Sequence, residues 1–281
     1  RGLGDVYKRQ PLGYYVNEEP MKVTFTYDGQ TVMVLDNTCS NKPTEMWVSK
    51  RDLTNDEELP GATLAIKDMD GNTVTTWVST DEPHRVTGLH FGESYTLTEI
   101  RAADGYAMAD DITFRLIQKT DEGGNPLEEC EVYYLTTKNI LFWKWDDWKL
   151  LDDATVIMRD DITKVQISKK DLTTKEELPG AELTLTDEKG NEIDRWVSTD
   201  APHYIERLPA GKYTLTEVTA PDGYAIAERV EFEVLPTGEV QTFEMFDDTI
   251  KVKISKVDIT TNEELPGAEL VIKDKDGTEI D

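Results

Sequence analysis

Lys50, Glu99 and Asp160 recur as Lys169, Glu217 and Asp247, in the same order and in the same local phrases. Each sits in a short segment of alternating apolar residues, where side chains take opposite faces with a period of two. In KVQISK, an inward Val165 and Ile167 carry Lys169 inward. In YTLTE, an inward Tyr213 and Leu215 carry Glu217 inward. In FEMFDD, Phe243 and Met245 carry Asp247 inward and leave Asp248 outside. The same count gives Lys50 after Val48, Glu99 after Tyr95 and Leu97, and Asp160 after Met158. A lysine and two carboxyls thus point into one apolar interior, twice over. Burying them apart would cost on the order of several kcal/mol each, so they should meet.

Two outcomes are open to such a cluster. One is a buried charged network that holds strand register at little net gain. The other is covalent chemistry. Desolvation favours a neutral amine and a protonated, electrophilic acid. The second carboxyl can move the proton, and fixed geometry supplies a large effective concentration. The product would be an amide between lysine Nζ and aspartate Cγ, with loss of water.

The phrases that carry these residues are copies of one another. VSKRDLTNDEELPGA (48–62) returns as ISKKDLTTKEELPGA (167–181) and as ISKVDITTNEELPGA (254–268). TTWVSTDEPH (75–84) answers DRWVSTDAPH (194–203), and SYTLTEIRAADGYAMA (94–109) answers KYTLTEVTAPDGYAIA (212–227). Such long-period self-similarity marks a tandem array. Residues 1–46 read as the closing part of an earlier copy, with 1–10 a cloning or assembly scar. Residues 47–164 and 165–249 read as complete copies, and 250–281 as the start of another. In the last, Lys256 has no acceptor, and Asp36 would be the acceptor of a lysine that the first partial copy lacks.

Strand-like alternation recurs in KVQIS, AELTLTD, YTLTEV and VEFEV, bounded by DG, KGN, PAG and PDG turn signals. No segment carries an apolar period of a helix. The expected fold class is all-β: tandem immunoglobulin-like β-sandwiches. The copies abut almost without linker, which favours a semi-rigid rod.

Composition narrows the function classes. Fifty-seven acidic residues against thirty basic give −27, which repels nucleic acid and anionic membranes. The charges are interspersed with apolar positions, so disorder is not implied. No apolar run reaches the length of a membrane span. Cys39 and Cys130 lie outside the repeated pattern, and two cysteines cannot staple a fold of this size.

Together, SKxDxTxxEELPGAxL, WVSTDxPH, YTLTExxAxDGYA and the terminal MxDD resemble the Cna-B-type (SpaA-type, prealbumin-like) domains of Gram-positive surface proteins and pilins. The resemblance covers nearly the whole chain from about residue 12. It implies a two-sheet sandwich of roughly seven strands used as a stalk module. It also implies an intramolecular isopeptide bond from a first-strand lysine to a last-strand Asn or Asp, promoted by the glutamate of YxLxE. Carried over by position, the pairs are Lys50–Asp160 with Glu99 and Lys169–Asp247 with Glu217. Aspartate as acceptor means that water leaves, where asparagine would release ammonia.

Other signals have plainer accounts. DMDGNT (68–73) and DKDGTEID (274–281) have the look of a calcium loop, but the middle copy reads DEKGNE, and a hairpin turn explains all three. His84 and His203 stand in different copies and suit turn or edge packing better than a metal site. No metal and no cofactor is expected, and no enzyme activity beyond the self-directed bond. One feature breaks the repeat. Tyr106 to Asp160 spans 54 residues and Tyr224 to Asp247 only 23, so the first complete copy holds an insertion at about 119–153. It carries Trp143, Trp145 and Trp148, with alternation that suggests an added strand or hairpin. The rings either cover the enlarged sandwich or offer a contact patch for a host glycan or matrix protein.

The expected role is an extracellular, monomeric stalk segment of an adhesin or pilin-like protein at the bacterial cell wall. A ligand-binding adhesin module and accessory repeats of a large secreted enzyme are the alternatives.

Overall fold

The computed structural model describes residues 11–16, 40–140 and 143–280. Nine strands form the first unit. β1 (Glu45–Asp52), β2 (Thr63–Asp68), β3 (Thr73–Val78), β4 (His84–Thr87) and β5 (Ser94–Arg101) come first. β6 (Ile112–Thr120), β7 (Pro126–Ile140), β8 (Trp143–Leu150) and β9 (Thr155–Asp160) follow. They build a sheet of order β4-β1-β9 and a facing sheet of order β3-β2-β5-β6-β7-β8. Between them lie Met46, Leu64, Leu97, Phe114 and Met158, all essentially inaccessible to solvent.

The second unit repeats this with seven strands. They are β10 (Lys164–Asp171), β11 (Glu182–Asp187), β12 (Glu192–Val197), β13 (His203–Glu206), β14 (Gly211–Thr219), β15 (Val230–Val234) and β16 (Val240–Asp247). Its sheets run β13-β10-β16 and β12-β11-β14-β15. The fold is all-β, two tandem sandwiches with no helix among the described residues.

In each unit the first strand pairs with the last in parallel, β1 with β9 and β10 with β16. A parallel pair needs a long crossover, and here the crossover is the rest of the domain. The first and last strands therefore lie side by side with chain entry and exit at opposite ends of the pair, so tension on the two ends would shear it.

The insertion becomes β7 and β8, an antiparallel hairpin that extends the second sheet beyond β6. Its counterpart β15 in the second sandwich is an edge, with Glu231 and Glu233 directed outward, a common way to blunt an open edge.

Residues 250–280 form turns and isolated bridges but no strand, and almost all are exposed. The lysine-bearing segment around Lys256, expected to be a strand, is therefore not one. An isolated strand has no ladder partner and no face to bury. Its local EELPG turn still forms: Leu265 N donates to Lys256 O at 2.7 Å, as Leu59 does to Lys50 and Leu178 to Lys169. Asp36 and Cys39 lie outside the described residues, while Cys130 is a buried free thiol.

Candidate functional site: a buried lysine between two carboxyls

The strands bring Lys50, Glu99 and Asp160 together in the first sandwich and Lys169, Glu217 and Asp247 in the second. β1 and β10 have nearly the same burial pattern, with Lys50 and Lys169 each only 2% exposed. In register, Lys50 stands beside Met158 and Asp52 beside Asp160. Lys169 stands beside Met245 and Asp171 beside Asp247. The acceptor is thus two positions along the neighbouring strand on the same face, within reach of a four-carbon stem.

Lys50 Nζ donates to Asp160 Oδ1 in a very short contact and lies 3.0 Å from Glu99 Oε1. Lys169 Nζ does the same with Asp247 Oδ1 and lies 3.0 Å from Glu217 Oε1. Burial pushes the Asp160 carboxyl up to about 7; Lys50 pulls against that rise and the neighbouring Glu99 carboxyl adds to it. Asp247 is raised for the same reasons, with Lys169 opposing and Glu217 reinforcing. A raised pKa favours the protonated carboxyl, which is the electrophile that amide formation requires. Among the described residues, Asp160 Oδ2 and Asp247 Oδ2 are buried with no hydrogen-bond partner.

The glutamates are held from outside the triad. Ala109 N donates to Glu99 Oε2 at 2.7 Å, and Ala227 N donates to Glu217 Oε2 at 2.6 Å. Each donor is the last alanine of the DGYAxA phrase. One oxygen is thereby fixed to the backbone and the other turned to the lysine, a position suited to proton transfer between amine and acid.

Several supporting residues recur in the sequence but were not singled out as part of a site. Ser79 Oγ donates to Leu59 O at 2.6 Å and accepts from Ala62 N at 2.9 Å, pinning the EELPGA loop behind the lysine strand. Ser198 does the same for Leu178 and Ala181 at 2.6 and 2.9 Å. Tyr106 Oη donates to Asp52 Oδ2 at 2.8 Å, and Tyr224 Oη to Asp171 Oδ2 at 2.6 Å. These pairs close the end of each sandwich beside the acceptor aspartate. Their recurrence in WVS, SKxD and DGY was the available signal, but parity alone says nothing of partners outside the core.

His84 stacks on Trp77 at 4.3 Å and His203 on Trp196 at 4.2 Å, both at 11°. Among the described residues no cluster of His, Cys, Asp and Glu could hold a metal. The Asp68 carboxylate is taken up by the Asp70 and Asn72 amides and by Asn72 Nδ2 of its own turn. Trp148 lies over the Arg115 guanidinium at 4.2 Å, which ties β8 back to β6. The side chains of Trp143 and Trp145 fall outside the described residues.

The fold and the buried clusters define a tandem β-sandwich protein whose repeats each enclose a lysine, a glutamate and an aspartate. The family model for the SpaA-type prealbumin-like fold domain matches residues 44–123 and 163–249, and the chain belongs to that family. No curated protein matches it. Among solved structures it is similar to the Bacillus anthracis TIE protein, at 23% identity and a TM-score of 0.41, over 85% of this chain and 41% of that one. It is also similar to a C-terminal fragment of the pilus adhesin SpaC from Lactobacillus rhamnosus GG, at 17% identity and TM-score 0.38, over 75% of this chain and 100% of the fragment. Shaft pilin SpaA of the same organism gives 14% identity and TM-score 0.29, over 75% and 99%.

Proposed function

We propose that this chain is a structural stalk segment of a bacterial cell-surface adhesin or pilin-like protein, and that each complete domain locks itself with a Lys–Asp isopeptide bond. The domains so defined are 47–164, with its insertion at about 119–153, and 165–249. The observation that carries the reading is the twofold occurrence of a buried lysine amine in contact with a raised-pKa aspartyl carboxyl.

The steps balance without a cofactor. Glu99 or Glu217 takes one proton from the ammonium, leaving a neutral amine. Nζ attacks Cγ of the protonated Asp160 or Asp247, giving a tetrahedral centre. The glutamic acid returns its proton to a departing hydroxyl and takes the second amine proton in its place, so one water leaves for each amide formed and the glutamate ends protonated. Bonds of this kind would join entry strand to exit strand, so tension would load a covalent link instead of the β1–β9 and β10–β16 hydrogen bonds.

Intact mass under denaturing conditions tests this. Two bonds remove two waters, about 36 Da, with about 18 Da restored by each of Lys50→Met and Lys169→Met. A folded chain of full unmodified mass would leave only a buried ionic network.

A further inference from the structure

At the boundary between the sandwiches, Arg207 is in the left-handed backbone region at φ 59°. That region is costly for any residue with a Cβ. The corresponding residue of the first sandwich is Gly88, at φ 83°, where the conformation costs little. An arginine at a site suited to glycine needs a compensating contact, and its side chain supplies one. It leaves the second sandwich and reaches the far end of the first. Nη1 donates to Tyr106 Oη in a very short contact, while Nη2 lies 3.0 Å from Asp52 Oδ2 and 3.4 Å from Thr54 Oγ1. The guanidinium carbon lies 4.9 Å from the centre of the Tyr106 ring.

The backbone around it is equally close. Arg207 N donates to Thr163 O and Thr163 N to Gly105 O, both at 3.0 Å. Thr163 Oγ1 bridges Gly105 O at 3.2 Å and Leu208 O at 2.7 Å. A Cβ on Gly105 would come within 2.6 Å of the Arg207 carbonyl oxygen, so only glycine permits this approach. Met108 N donates to Pro236 O at 3.1 Å on another side of the junction. Asp52 is buried, which alone would raise its pKa, yet hydrogen bonds from Thr54 and Arg207 hold it below the usual carboxylate range.

We infer that Tyr106 and Asp52 form a socket for the guanidinium of Arg207, and that this plug fixes the orientation of the second sandwich on the first. The contact between Gly13, Thr44 and Gly88, one junction earlier, has the same backbone link without a guanidinium across it; there Thr44 Oγ1 donates to Gly13 O at 3.3 Å and to Leu89 O at 2.7 Å, and Gln118 Nε2 to Val16 O at 3.0 Å. Thr44 N donates to Gly13 O at 2.9 Å and Gly88 N to Thr44 O at 3.0 Å, with no side chain at Gly88 to cross the boundary. The second sandwich rebuilds the socket with Tyr224 and Asp171. The pair is therefore a property of the repeat, and the arginine is what makes this junction a locked one. None of this depends on whether the lysines are crosslinked.

Residual dipolar couplings on the full chain test it, because two bodies held rigidly share one alignment tensor. The native chain should fit both sandwiches with a single tensor. Arg207→Gly should lose that common tensor while couplings within each sandwich stay unchanged, since glycine relieves the local strain. Asp52→Asn, which leaves the second sandwich untouched, should also lose it should Arg207→Gly fail to fold. A native chain that already needs two tensors would overturn the lock. So would an Arg207→Gly chain, or an Asp52→Asn chain, that still fits one.

Discussion

The two sandwiches carry the same buried triad on very different amounts of chain. Lys50 and Asp160 are 110 positions apart, Lys169 and Asp247 only 78, yet both lysines stand 3.0 Å from their glutamates. The difference is almost all the β7–β8 hairpin, which joins the sheet at its outer edge, beyond β6. The triad is built on β1, β5 and β9, and again on β10, β14 and β16, none of which the hairpin displaces. A fold that puts its chemistry on the first, central and last strands can therefore accept insertions at a sheet edge without altering the site.

The strongest way to break this equivalence is to block one crosslink at a time. Glu99→Gln and Glu217→Gln keep side-chain size but remove the proton carrier. Each should restore about 18 Da and lower its own domain's stability by about 4–5 kcal/mol, the loop-closure term for chains of these lengths. That corresponds to a melting shift on the order of 20 °C. Closure cost varies only with the logarithm of loop length, so the two losses should agree within about 0.5 kcal/mol. Calorimetry showing one domain much more dependent than the other would mean that the insertion contributes to the lock.

A smaller effect separates the sites by acidity. In a Lys169→Met chain only the first bond can form. Such a chain, recovered unfolded from inclusion bodies and refolded at a series of pH values, should lose water more slowly as pH rises through about 7, where Asp160 ionises. Below that pH the electrophile is already neutral, and on this account the rate gains nothing more from Asp160. Time-resolved mass spectrometry reads the profile directly. A rate that climbs through that range would assign the control to some other group.

Parity made the triads legible, because a period of two is enforced wherever one face of a strand is buried. Lys50, Glu99 and Asp160 follow from Val48, Leu97 and Met158 without any knowledge of pairing. The sheet partners did not follow, since the parallel β1–β9 contact joins segments 110 positions apart. The sandwich class was likewise legible from turn spacing, and the hairpin from the alternation around Trp145. What stayed hidden were contacts made across boundaries: Ala109 N on Glu99, Ser79 on the EELPGA loop and Arg207 on Asp52. Each starts from a residue outside the strands, where a period of two says nothing. Lys256 is the converse case, since its pattern is right but no strand pairs with it among the described residues.

A local difference tests how far the hairpin is needed. Trp148 covers the Arg115 guanidinium, and a cation–π contact at a partly exposed site is worth roughly 0.5–1 kcal/mol. Trp148→Ala should therefore cost the first sandwich about that much in chemical denaturation and leave the second unchanged. A loss several times larger would make the hairpin part of the core and no longer an addition to its edge.

The smallest contrast lies in the two histidines. Both stack on a tryptophan, but His203 Nε2 also lies 2.7 Å from Asp194 Oδ2, and the residue matching Asp194 in the first sandwich is Thr75. Burial lowers the His84 pKa below its ordinary value by penalising the charged ring. A depressed histidine favours the neutral form in the folded state. Its contribution is therefore present above the unfolded pKa, near 6.5, and is lost as pH falls through the lower folded value. The first sandwich should weaken slightly as pH falls below about 6.5 toward the lower folded value. Thr75→Asp supplies the missing acceptor, so it should raise the His84 titration seen by NMR and flatten that decline, by less than about 1 kcal/mol. An imidazole at position 84 that titrates at or above its ordinary value in the native chain would overturn this account of the first STDxPH turn.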